Sequence, residues 1–126
     1  MTTLEALKDA HARAIAENPV EIVVHRVAWS EDGEGGRSKT ETDLPPFTGR
    51  LVPGRPLRYG PDQDEAGLAW RRRMVLLAPH DADLRAGSGV EDTFTVEGIA
   101  YRVVWVTKRC WGGEIYAVQA DVEEVV

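Results

Sequence analysis

From Val20 onward the chain is a succession of short runs rich in valine, isoleucine and aromatic residues, each closed by glycine, proline or a polar turn, with no helical period between them. That property decides most of what the chain can become. Parallel strands need crossovers of a dozen or more residues, usually helical, so a parallel α/β sheet is disfavoured and antiparallel pairing through short turns is expected. About six such strands behind one helix predict a mainly β fold, a small antiparallel β-barrel or sandwich with one N-terminal α-helix.

The strands are read as follows. Val20 to Trp29 (VEIVVHRVAW) is β-branched and bounded by proline and a polar loop, with Val20, Ile22, Val24 and Ala28 on one face and Val23, Val27 and Trp29 on the other. Phe47 to Val52 (FTGRLV) and Leu68 to Leu77 (LAWRRRMVLL) are the second and third. Thr93 to Val96, the turn Glu97-Gly98 and Tyr101 to Val106 form the clearest hairpin signal. Trp111-Gly112-Gly113-Glu114 makes another turn into the last strand, Ile115 to Val122.

Ahead of them, Thr2 and Glu5 have the spacing of a capping box, and Leu4, Leu7, His11, Ala14 and Ile15 share one face at helical spacing. The helix is expected over about residues 3–17, with Asp9 and Arg13 paired on its outside and Asn18-Pro19 ending it. Its apolar stripe is narrow and alanine-rich, so it is expected to dock lightly on the β body (about 20–126) or on a neighbouring subunit.

Two stretches carry no strand signal. Ser30 to Asp43 (SEDGEGGRSKTETD) has no large apolar residue with which to offset its ordering entropy, and is expected to be a mobile hairpin tip or to order on a partner. Pro53 to Gly67 is a second glycine- and proline-rich loop.

A chain of 126 residues, 43% apolar and 29% charged, suits one folded domain. Its net charge of -6 disfavours nonspecific binding to nucleic-acid phosphates. The charge is divided: arginines outnumber acids between Arg50 and Arg73, whereas Glu114, Asp121, Glu123 and Glu124 in the last stretch meet no base. Opposite-signed regions suit pairing between copies, and Arg37, Lys39, Phe47, Arg55, Arg58, Arg71, Arg73, Glu123 and Glu124 are the candidate protein-interface residues. Cys110 is the only cysteine, which excludes an intramolecular disulfide and a multi-cysteine zinc site. The opening Met-Thr-Thr-Leu-Glu lacks a signal-peptide pattern, and a cytoplasmic site of synthesis is expected, with no membrane partner.

Nothing reads as an active site. His80, Asp81 and Asp83 are the local cluster most like metal ligands, but these residue types are common in turns because they bond nearby backbone, and no metal or cofactor is expected. Gly33-Glu34-Gly35-Gly36 lacks the strand-to-helix setting of a phosphate-binding loop. Cys110 beside Arg109 has no neighbouring histidine base in sequence. Trp70 with Arg71 and Arg73 raises an alternative, an OB-like module for single-stranded nucleic acid, although alternation sends Arg72 to the opposite face.

Taken together, the helix followed by ENPVEIVVHR, the polar loop, LPPFTGRLVPG, the long stretch VLLAPHDADLRAGSGVEDTFTVEGIAYRVVWV and the acidic tail resemble the head-tail connector proteins of tailed bacteriophages, of the head-closure or head-completion type. The resemblance implies a small β-barrel, not an enzyme, that assembles as a homo-oligomeric ring in the virion. The ring would lie below the portal, contact portal or adaptor and tail proteins, and help retain DNA that passes through without sequence-specific binding. It also implies host cytoplasm as the place of assembly. A tail-completion or terminator protein is the related alternative.

Overall fold

In a computed structural model, residues 1–31, 33, 35–54 and 73–125 are described. Helix α1 (Thr3–Ala16) starts as its capping box requires: the Thr2 hydroxyl accepts from the Glu5 amide at 3.2 Å, and the Glu5 carboxylate accepts from the Thr2 amide at 3.0 Å. Asp9 and Arg13 pair along its outer side. Ile15 alone of its residues is fully buried, in keeping with the narrow stripe. The helix is held as much by polar contacts: His11 Nε2 donates to the Ala78 carbonyl at 2.6 Å, and Arg50 donates to the Ala14 carbonyl at 2.8 Å and the Glu17 carboxylate at 3.0 Å. An arginine at the last turn also suits the negative end of the helix dipole.

Eight strands follow: β1 (Val20–Ile22), β2 (His25–Glu31), β3 (Arg37–Asp43), β4 (Phe47–Pro53), β5 (Arg73–Ala78), β6 (Val90–Val96), β7 (Ile99–Trp111) and β8 (Glu114–Glu124). They form one antiparallel sheet in the order β1-β4-β5-β8-β7-β6-β2-β3. The mainly β, barrel-like fold is as expected, with eight strands in place of six.

Two features account for the difference. The run from Val20 to Trp29 is two strands, because β1 pairs with β4 while β2 pairs with β6 and β3, near opposite ends of the sheet order. Only Val23 and Val24 separate them, so the covalent chain draws the two ends of the sheet together and curls it. At that bend Val24 is fully buried and Val23 points to solvent. The second feature is β3. Within Ser30–Asp43, expected as a hairpin tip or a segment that orders on a partner, residues 37–43 form a strand that pairs with β2 over seven positions, from Glu31 opposite Arg37 to His25 opposite Asp43. An edge strand takes its ladder bonds from one neighbour and needs no apolar face, which is why counting hydrophobic residues missed it.

The hairpins lie where their turns predict. Glu97 and Gly98 have φ of 52° and 79°, and Gly112 and Gly113 have 60° and 83°, the double positive φ of the turn whose twist matches flanking strands. The core is built from Ile22, Val24, Leu76, Ala78, Leu84, Phe94, Tyr101, Val103, Val118, Ala120 and Val122. Phe94 and Tyr101 are cross-strand partners with stacked rings 5.6 Å apart. Gly49 lies where β1, β4 and β5 converge: a Cβ there would stand 2.8 Å from the Leu77 carbonyl oxygen. The third expected strand is described from Arg73 onward, and residues 68–72, with the loop read over 53–67 beyond Gly54, lie outside the described residues.

Candidate functional site

Chemistry-bearing side chains converge at one place inside the described residues, and they are fully engaged with one another. On β2, Arg26 shares the inward parity of Ile22 and Val24; on β6, Asp92 shares that of Phe94. Register sets Arg26 opposite Asp92. The guanidinium forks onto the carboxylate, Nε to Oδ1 at 2.8 Å and Nη2 to Oδ2 at 2.9 Å, and Asp92 is fully buried.

Arg26 also donates to the Asp83 carboxylate at 3.0 Å and to its backbone carbonyl at 3.0 Å, and the Arg85 amide donates to Asp92 at 2.7 Å. The hydrogen bond from Asp92, foremost, raises the Arg26 pKa above its already high ordinary value, and the hydrogen bond from Arg26 holds Asp83 below the usual carboxylate range. The arrangement clamps the loop after β5 to the barrel wall. Arg26 and Asp92 are closed off within it, whereas Asp83 and Arg85 keep exposed side chains.

The His80, Asp81 and Asp83 cluster is dispersed by this arrangement: Asp83 turns to Arg26 and Arg85, while His80 and Asp81 are exposed. Among the described residues no group of three or more histidine, cysteine or acidic side chains is placed to hold a metal ion. No described helix is long and apolar enough to cross a membrane. Cys110 is exposed on β7. A groove of about 340 Å³ runs between α1 and the barrel, lined mainly by apolar atoms of Ala12, Ile15, Pro19, Pro79 and Tyr116, with Lys8, His11 and His80 also in its wall.

What the described residues do present is surface built for contact. Every residue of β3 is exposed, and no described strand pairs with its outer edge. The second such element is the far half of the β7–β8 hairpin. Among the described residues β6 pairs with β7 at Ile99–Arg102, and β5 with β8 at Arg73–Ala78 opposite Val118–Glu123, so from Val106 to Ala117 the two strands pair with each other and with no other described strand. Trp111 at its tip is 55% exposed and Trp105 at its base 65%, with exposed Lys108 and Arg109 between them. Two breaks in register, at Val103/Trp105 and Arg109/Cys110, re-aim these side chains.

The residues expected at an interface are distributed unevenly over this surface. Arg37 and Lys39 stand on β3, fully in solvent. Phe47 packs against the core, and Glu123 is buried beneath Arg102 and Arg73, so both are engaged within the chain, because each has the inward or covered position of its strand. Arg73 reaches Glu123 at 3.7 Å, and Glu124 is half-buried beside Tyr101 in the register. Arg55, Arg58, Arg71 and Trp70 lie outside the described residues.

His25 is half-buried. It sits on the outer face of β2, bonded to Asp43 at 2.7 Å and facing Glu41 at 3.6 Å, and the Asp43 bond above all raises its pKa. Sequence reasoning also missed Arg26 and Asp92. Their signal was present: each is a charged residue at an inward position of an otherwise apolar strand face, and such residues are seldom buried unless paired. Trp105 was hidden by its strand, since an aromatic in a β-run reads first as core, and Trp111 by its reading as the start of a turn, where the structure instead ends β7. Compared with known protein families the chain finds no match. No curated protein matches it either.

Proposed function

We propose that the chain is a structural, non-enzymatic component of a tailed-bacteriophage particle, of the head-closure type, which forms a ring below the portal, helps retain packaged DNA and attaches the tail. The observation that carries the reading is the far half of the β7–β8 hairpin, with exposed Trp105 and Trp111 on a ribbon that no other described strand pairs with. Exposed aromatics on a rigid two-stranded arm are the anchors from which protein interfaces draw most of their energy. The resemblance to connector proteins and the net charge of -6, which lets DNA slide past without adhering, support the same reading.

The test is assembly on purified portal or adaptor rings viewed in negative stain. Added density below the ring, diminished at least tenfold in occupancy by Trp111→Ser, is the expected result; no added density under any condition overturns it. Binding to tail tubes and not to portal rings would assign the tail-completion role.

One observation favours a second reading, a single-stranded nucleic-acid module. Trp105, Lys108, Arg109 and Trp111 combine stacking faces with positive charge on one arm. Fluorescence anisotropy with short oligonucleotides at about 20 mM salt decides it, because phosphate-driven affinity is greatest there. Absence of binding under those conditions ends this reading.

A further inference from the structure

We propose that β3 pairs with β3 of a second copy of this chain, antiparallel and two-fold symmetric about Thr40, so that two curled sheets join edge to edge in the free protein. The ladder fixes which backbone groups are available. The Leu44 amide donates to the Val24 carbonyl at 2.9 Å, so the residues of β3 that bond to β2 are those of Leu44's parity. The Trp29 amide turns the other way, to the Gly89 carbonyl at 2.9 Å, as the same alternation requires. The N–H and C=O groups of Arg37, Lys39, Glu41 and Asp43 therefore point away from β2, toward the edge that no described strand covers.

The sequence of that edge, RSKTETD, is complementary to itself when reversed. With Thr40 on the axis, Arg37 faces Asp43 of the second copy, Lys39 faces Glu41, and Ser38 faces Thr42. The charged pairs occupy the hydrogen-bonded positions, and every outward N–H and C=O of the strand is matched. The hydroxyl residues occupy the non-hydrogen-bonded positions, where side chains approach most closely, and opposite charges and Thr–Thr or Thr–Ser neighbours both favour pairing there.

Other alignments are penalised. Sliding the copies to the next register that the alternation allows sets Lys39 on Lys39 or Glu41 on Glu41, and parallel pairing in register sets every charge on its like. Charges on an edge strand ordinarily prevent indiscriminate pairing. Here they prevent all but one.

The contact is isologous, which closes at two copies, whereas a ring uses head-to-tail contacts. It therefore describes the unassembled protein and is independent of the connector reading: failure on portal rings leaves it standing, and its own failure leaves ring formation untouched. A single seven-residue edge is small for an interface, so the dimer is expected to be weak, concentration-dependent and loosened by salt.

Sedimentation of the full chain across a concentration series tests it. Lys39→Glu sets an acid against Glu41 at both symmetry-related positions and is expected to weaken the dimer on the order of tenfold, as is Glu41→Lys. The double variant carrying both changes regains the wild-type constant. Lys39→Pro removes an outward N–H while sparing the ladder to β2, and is expected to yield a monomer whose circular dichroism is unchanged. The proposal is overturned if the wild type stays monomeric to about 1 mM, if the single reversals and Lys39→Pro leave a dimer intact, or if the double reversal fails to restore it.

Discussion

Arg26 and Lys39 are both cations on adjacent strands, and they live in opposite regimes. Arg26 is sealed between β2 and the loop after β5, with every contact supplied by Asp92 and Asp83. Lys39 stands on a strand exposed along its whole length, with Glu41 at 3.4 Å as an equally exposed companion. Buried, a charge is tolerated only because its partner is in place, and it then specifies one arrangement of the wall. Exposed, the same kind of charge contributes little to folding but selects which strand is allowed to lie beside it. The barrel uses ionic groups to settle its own interior, and the edge uses them to choose company.

The sharpest way to break this contrast is at Asp92. Asp92→Ala removes the buried carboxylate from the Arg26 guanidinium, leaving only the more exposed Asp83 as its partner, and is expected to cost about 3 kcal/mol in urea unfolding. Replacing both partners with apolar residues, Arg26→Met with Asp92→Leu, should recover most of that loss, since the penalty lies in the orphaned charge. A double variant as unstable as the single one would show that the clamp contributes net energy as well as specificity.

Gly49→Ala probes the body without touching charge. The new methyl meets the Leu77 carbonyl oxygen, and a loss of about 1–3 kcal/mol is expected from thermal melts. At the Glu97-Gly98 turn the sign reverses: Glu97 holds a positive φ that Asn adopts more readily, so Glu97→Asn should stabilise by about 0.5 kcal/mol. On the edge, Thr40→Ala is expected to stay within about 0.5 kcal/mol of wild type in denaturation, the small effect that an exposed strand predicts.

Protonation separates the two regimes again. Asp83 is held below its ordinary pKa by Arg26, so its contribution is present above about pH 4, the unfolded-carboxylate range, and is lost as pH falls through its lower folded value. Acid titration of Asp83→Asn should accordingly show a shallower loss of stability than wild type. His25 runs oppositely: raised by Asp43, its contribution is present below its ordinary value near 6.5 and lost as pH climbs through the raised one. Asp43→Asn should bring its titration, followed by NMR, back down.

Much of the fold could be read before any coordinates. Proline and glycine spacing located the helix end and both hairpins, because those residues act through local backbone geometry that no distant contact overrides. The split of the first strand could not be read, since Val23 and Val24 are as β-prone as their neighbours and only the pairing of β1 with β4 separates them from β2. β3 was illegible for the converse reason: Arg37 to Asp43 holds its place by backbone bonds that leave no hydrophobic trace. Arg26 was legible in parity and passed over in favour of its valine neighbours. The exposed tryptophans were not legible, because the strand was expected to stop at Val106 and Trp111 to open a turn, whereas β7 runs on to Trp111 beyond its other partners.

The two-residue step at Val23-Val24 has a mechanical side. Among the described strands β3 pairs with β2 alone, while its chain runs on through Leu44-Pro45-Pro46 into β4, and β2 is tied through that step to β1 and thence to β4 as well. A pull applied at β3 along its length loads the seven-position ladder with β2 in shear, the direction in which its bonds share the strain, and passes through a buried Val24 into the opposite rim of the sheet. A tug at the edge is thereby spread around the circumference before any single strand bears it alone.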